Sequence, residues 1–157
     1  MIKHKPSIPN EKYILFANGG FDCLHAGHFD FLLYCLHLKK QFNACLVVAI
    51  DSDEKIKEKG KDRPIFSEQE RRECLLKLNF GKESIIDSCP IFDTNEDLDE
   101  LIKQCKPNIL IKGESWKGNV VGEKYVKTIF FYSENKINIS TTKIIERIAD
   151  KLLSEMF

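Results

Sequence analysis

Gly19-Gly20-Phe21-Asp22-Cys23-Leu24-His25-Ala26-Gly27-His28 stands between Tyr13-Ile14-Leu15-Phe16-Ala17-Asn18, an apolar run of strand length, and the almost wholly apolar residues 29 to 38. This is a strand that turns into a helix. Paired glycines let the main chain turn tightly and approach a ligand closely. A helix beginning near Gly27 or His28 offers unpaired N–H groups and a partial positive charge, and both favour an anion. His25 and His28, three apart, project to one side of a first helical turn and offer two ring N–H donors to the same phosphate oxygens. A single histidine reads more readily as structural; two of them beside Gly-Gly at a strand end point to phosphate. Zinc is the rival for the pair, but no third ligand is apparent: Cys23 has no second cysteine at metal spacing, and the zincin glutamate is absent.

Outward from this turn, the chain is 157 residues long, of a size for one domain spanning 1–157. Lys plus Arg equal Asp plus Glu at 24 each. No global field therefore argues for nucleic acid or an anionic membrane surface, and an anion site has to be local. The six cysteines form no CxxC pair and several fall in apolar runs, which suits reduced core thiols. No signal peptide or membrane-spanning run is present, so the expectation is a soluble cytoplasmic protein.

Residues 1 to 12 read as a loose lead-in with two prolines. Strands are expected at 13–18, 44–50 (ACLVVAI, without polar alternation and so covered on both faces), 84–89, 109–111 and 128–132. Helices are expected at 28–40, 68–78, 97–106 and 141–154, the last with Ile144, Ile145, Ile148 and Leu152 at helical spacing. Strands alternating with helices predict an α/β fold: a doubly wound, Rossmann-like parallel five-stranded sheet with helices on both faces. Ligands of such sheets bind beyond the carboxyl ends of the strands. The glycine-rich turn, the loop after the second strand with five cations (Lys55, Lys57, Lys59, Lys61 and Arg63) and Lys112-Gly113 all follow strand ends and can share one crevice.

His25-Ala26-Gly27-His28 resembles the HxGH signature of the cytidylyltransferase-like nucleotidyltransferases, and Asn18-Gly19-Gly20-Phe21-Asp22 resembles its usual lead-in. Ile139-Ser140-Thr141-Thr142-Lys143 is similar to the ISTT motif of the same superfamily. Lys59-Gly60-Lys61-Asp62-Arg63-Pro64-Ile65 resembles the KGxxRP loop of heptose-phosphate adenylyltransferases, and Val120-Val121-Gly122-Glu123-Lys124-Tyr125-Val126 resembles a further segment of those enzymes. Lys112-Gly113-Glu114-Ser115-Trp116 is similar to their KGGDY and to the MGDDW of glycerol-3-phosphate cytidylyltransferases, with Ser115 where both place an aspartate. The cytidylyl branch precedes ISTT with RTEG; this chain has Asn135-Lys136-Ile137-Asn138, without the arginine.

The resemblance implies transfer of the NMP part of a nucleoside triphosphate, ATP favoured, to a sugar 1-phosphate of the heptose 1-phosphate type, with release of pyrophosphate. It implies His25, His28 and Lys59 as catalytic residues, and Gly19, Gly20, Phe21, Lys112, Gly113, Ser140, Thr141 and Thr142 at the nucleotide. Asp22, Lys59, Arg63, Arg71 and Trp116 would meet the substrate phosphate, with Asp22 also a ligand of Mg²⁺. In many relatives the domain is fused to a sugar kinase; here the expectation is a domain on its own, forming a homodimer or higher homo-oligomer. A CTP-dependent cytidylyltransferase for glycerol 3-phosphate or another phospho-alcohol stays open, as does a non-catalytic nucleotide-binding regulator.

Overall fold

In the computed structural model, residues 1–9, 12–133 and 137–157 are described. Asn135 and Lys136, two of the positions compared with RTEG, lie outside them, as do residues 10 and 11 of the lead-in. The lead-in begins with a strand, β1 (Ile2–Lys3), which corrects the expectation of no element there. Next come β2 (Ile14–Gly19), α1 (Ala26–Gln41), β3 (Cys45–Asp51), α2 (Asp53–Lys57) and α3 (Glu68–Leu76). A small hairpin, β4 (Asn79–Phe80) with β5 (Glu83–Ser84), precedes β6 (Ile91–Phe92) and α4 (Asn95–Cys105). The chain continues with β7 (Ile109–Gly113), two single 3₁₀ turns (Glu114–Trp116 and Glu123–Tyr125), β8 (Thr128–Tyr132) and α5 (Thr141–Met156).

The main sheet has six strands in the order β1-β6-β3-β2-β7-β8, parallel except for β1 against β6. Five parallel strands with helices on both faces are as expected; the sixth is the antiparallel edge. All seven residues of β3 are buried, because α1 covers one face of the sheet and α4 the other. Leu15, Ala17, Leu46 and Val48 pack towards Leu32, Cys35 and Leu36 of α1. Phe16, Val47 and Ala49, at the intervening positions of the same strands, pack towards Leu98, Leu101 and Ile102 of α4. Each such leucine contributes roughly 1.5–3 kcal/mol by leaving water.

The strand expected at 84–89 sits later, at Ile91–Phe92. Ser84 closes the hairpin, and Ile85 and Ile86 turn into the core. The Asp87 carboxylate accepts from Leu46 N at 2.7 Å, taking a donor that a ladder would have used. Pairing with β3 is then a single bridge, Val47 to Ser88, until Ile50 meets Ile91. Gly122 opens the second 3₁₀ turn at φ +79, where a Cβ would come within 2.6 Å of Ile102 Cδ1, so the turn lies flush on α4 only because the side chain is absent. All six cysteines are free thiols, four of them buried.

Candidate active site

From β2 the chain passes to β3 on one side and later to β7 on the other, so the sheet order reverses at β2. Beyond the carboxyl ends of these strands lies a cavity of about 790 Å³. That is within the usual size of small-molecule sites. Gly19, Gly20, Phe21, His25, His28, Lys59, Lys112, Gly113, Trp116 and Ser140 of the expected residues line it.

The glycine turn works differently from the expectation. Its left-handed residues are Phe21 (φ +53) and Cys23 (φ +48), not the glycines. Gly20 is required for room: a Cβ would meet Ile56 Cδ1 at 3.0 Å, Lys59 Nζ at 3.5 Å and Asp51 Oδ2 at 3.6 Å.

The two histidines form the cap of α1. His25 is the N-cap and its Nδ1 accepts from Gly27 N at 3.1 Å, while His28 Nδ1 accepts from His25 N at 3.3 Å. With both Nδ1 atoms accepting, the ring proton of each neutral imidazole sits on Nε2. The rings stack with centroids 3.8 Å apart. Burial, and then the neighbouring His25, lower the His28 pKa to about 4; burial lowers that of His25. The site therefore offers two neutral N–H donors side by side, at the start of a helix.

Opposite them, Lys112 is buried and its Nζ donates to Asn18 Oδ1. Burial lowers its pKa to about 8, and Asp51 opposes that shift. Asp51, at the end of β3, is 4% exposed and holds Lys59 Nζ at 2.7 Å. Lys55 of the five-cation loop lines the cavity as expected of that loop, together with Asp51, Asn95 and Asn119, none of which carries a motif in the sequence. The one available signal is position, since Asp51 closes a strand whose carboxyl end faces the crevice.

Several expected residues lie behind the cavity instead of in it. Asp22 is 1% exposed, and its two carboxylate oxygens accept from Ile65 N at 2.8 Å and Phe66 N at 2.9 Å. It pins the lysine-rich loop and, unlike the expectation of a metal or substrate ligand, does not line the cavity. Among the described residues no group of three His, Cys, Asp or Glu is placed to hold a metal ion. Thr141 is buried and donates to Asp22 O at 2.7 Å. Thr142 Oγ1 accepts from Arg63 Nη2 at 3.2 Å. Of Ser140-Thr141-Thr142, Ser140 alone lines the cavity, where it caps α5 by accepting from Lys143 N. Glu114 is held by Lys117 at 3.0 Å and Ser133 at 3.1 Å and does not line the cavity in place of the missing aspartate.

Arg71, expected at the substrate phosphate, is 1% exposed. Its guanidinium donates to the carbonyls of Phe66, Gly20 and Asp51 and to Asp53 Oδ1, at 2.7 to 3.0 Å. It ties together the ends of β2 and β3 and the start of α3 from behind. Arg71→Lys keeps the charge and loses the fork. Its expected effect is a fall in unfolding free energy on the order of 2 kcal/mol, read by denaturant titration.

The cytidylyltransferase-like family model matches residues 16–147. The bifunctional protein HldE of Campylobacter jejuni subsp. jejuni serotype O:6 is 39% identical over 144 residues, covering 90% of this chain and 29% of that protein. The bifunctional protein HldE of Campylobacter concisus is 40% identical over 148 residues, covering 92% and 29%. That of Desulfatibacillum aliphaticivorans is 35% identical over 142 residues, covering 87% and 27%. The chain thus spans less than a third of the length of these relatives. Its match extends from the middle of β2 into α5 and takes in both the histidine-capped helix and the Ser140 cap, and so the chain belongs to the cytidylyltransferase-like family of nucleotidyltransferases.

Proposed function

We propose that this chain transfers the adenylyl group of ATP to a sugar 1-phosphate of the heptose 1-phosphate type, releasing pyrophosphate. The observation that carries the reading is the convergence on one cavity of two Nε2–H imidazoles, Lys59, Lys112 and the capped start of α5. The choice of ATP and heptose phosphate rests on the KGxxRP-like loop and the 120–126 segment.

In this reaction an oxygen of the sugar phosphate attacks the α-phosphorus in line. The new Pα–O bond forms as the Pα–O bond to pyrophosphate breaks, and the pyrophosphate oxygen takes the electron pair. The nucleophile is already an anion and requires no general base, so the protein's work is to position two repelling anions and stabilise the charge that develops. His25 and His28 donate from Nε2 to phosphate oxygens, and Lys112 and Lys59 supply the charge. Lys59 exchanges its Asp51 partner for phosphate or shares it. Trp116, half exposed at the cavity rim, covers the bound substrate. Magnesium enters as the counter-ion of the triphosphate and is part of the substrate.

The test is pyrophosphate release with Mg²⁺, crossing ATP, CTP and GTP against heptose 1-phosphate, glycerol 3-phosphate and phosphocholine. Release with ATP and the heptose phosphate alone is the expected result. Release with CTP and a phospho-alcohol overturns the substrate assignment and leaves the reaction class. Nucleotide binding without turnover across the whole matrix overturns the proposal in favour of a binding protein.

A further inference from the structure

Asp51 is an acid in the wall of a cavity suited to anions. It closes β3, and its backbone carbonyl accepts from Arg71 Nη1 at 2.8 Å, so its backbone is fixed in the sheet. Its side chain is 6% exposed, whereas that of its partner Lys59, on the loop after α2, is 49% exposed. The lysine can therefore leave the pair while the acid stays in place. The pair lies against the glycine turn: a Cβ on Gly20 would stand 3.5 Å from Lys59 Nζ and 3.6 Å from Asp51 Oδ2. Asp22, just past that turn, spends both carboxylate oxygens on backbone N–H groups behind the cavity. Asp51 instead engages a lysine that lines the cavity with it.

The pattern extends along the same wall. Lys55 lines the cavity and stands 3.6 Å from Glu58, which lines it too. Among the described lining residues the cations are Lys55, Lys59 and Lys112 and the anions Asp51 and Glu58, while both histidines are neutral at pH 7. Three positive charges against two leave a surplus of one. A wall built only to grip phosphate would carry the cations without the acids. A fixed carboxylate repels bound phosphate, and a paired lysine has to give up its partner to reach it.

We propose that Asp51 is a counter-ion built into the site, competing with phosphate for Lys59 and so weakening the hold on pyrophosphate, the product that has to leave. This role presupposes that pyrophosphate leaves from this cavity, as the proposed reaction requires. Binding that is equally strong for substrate and product does not speed the chemical step, and product release limits turnover in many enzymes. Lys59 reaches the triphosphate in exchange for an ion pair, and the pair re-forms behind the departing pyrophosphate. Asp51 acts through Lys59 and is a positioning residue.

The experiment is isothermal titration of pyrophosphate with Mg²⁺ into the unaltered chain, Asp51→Asn and Glu146→Gln at pH 6.5. That pH lies below the value of about 8 for Lys112, so the support Asp51 lends to that charge does not enter. The expected result is pyrophosphate bound about tenfold more tightly by Asp51→Asn. Glu146 is exposed on α5 and does not line the cavity; Glu146→Gln makes the same change in net charge and binds pyrophosphate as the unaltered chain does. Asp51→Ser repeats the charge change with a smaller side chain and gives the same gain, and circular dichroism verifies that each variant keeps its helices. In turnover, Asp51→Asn lowers KM for ATP and kcat together. Unchanged or weaker pyrophosphate binding in Asp51→Asn, the outcome of a structural or metal-binding role, overturns the inference, as does an equal gain in Glu146→Gln. Absence of turnover across the nucleotide and acceptor matrix overturns the reaction alone, because pyrophosphate binding is read without it.

Discussion

Replacing His28 by alanine is expected to slow turnover by about 100- to 1000-fold, the usual effect of removing one preorganised donor to a developing anion. The structure gives the side chain two tasks. The residue lines the cavity with Nε2 left as its free donor, and Nδ1 accepts from His25 N and so caps α1. Loss of a cap costs about 1 kcal/mol, far less than the catalytic loss, so the variant stays folded and its circular dichroism is unchanged. Steady-state pyrophosphate release separates the two effects. A variant within a few-fold of the unaltered turnover would remove His28 from the reaction and leave it as a cap.

Lys112→Met is the second large effect, and its two consequences have different signs. Turnover at saturating nucleotide falls by on the order of 100-fold, because a cation aimed at the phosphates is gone. Stability at pH 7 is unchanged or higher, since burying an ammonium is unfavourable and Met fills similar space without the charge. The pH dependence supplies an independent check. The folded-state pKa, lowered to about 8 from 10.5, lies below that of the unfolded chain. Between these values the unfolded chain binds the extra proton, so this group's contribution to stability rises with pH across the window and is lost as pH falls through about 8. Nucleotide affinity is expected to follow the opposite course, full below about pH 8 and declining above, as Lys112 loses its charge. Isothermal titration at pH 7 and 9 should show weaker binding at pH 9, with proton uptake, and in Lys112→Met both features disappear.

The core of this fold was readable because its strands are long or uninterrupted. ACLVVAI admits no solvent face, and the Gly19–His28 turn joins two apolar runs, so β2, α1 and β3 follow from local chemistry. Short strands were not readable. Ile2–Lys3 and Ile91–Phe92 are two residues each; the first pairs with the second across nearly ninety positions of chain, and the second also with the end of β3. Residues 84–89 have strand composition, yet the Asp87 side chain occupies the backbone donor they would use.

The site divided along the same line. The histidines and lysines in the segments that follow strand ends reached the cavity, where the topology puts those segments. Asp22, Arg71 and Thr141 carry groups suited to phosphate or metal, but they spend them on backbone N–H and carbonyl groups behind it. Charged side chains look alike in sequence whether they turn inward or outward. Asp51 gives no signal in the sequence for the converse reason: an acid inside an anion site makes sense only with Lys59 against it.

The hydroxyl of Thr141 on the carbonyl of Asp22 joins positions 119 apart, and Lys112 meets Asn18 across 94. Contacts of such sequence separation close late, after the loops between them have been ordered. A growing chain thus displays its histidine turn long before Thr141 and the start of α5 are there to close against Asp22. The back of the site is therefore joined up only when residues 22 and 141 have both been made and brought together.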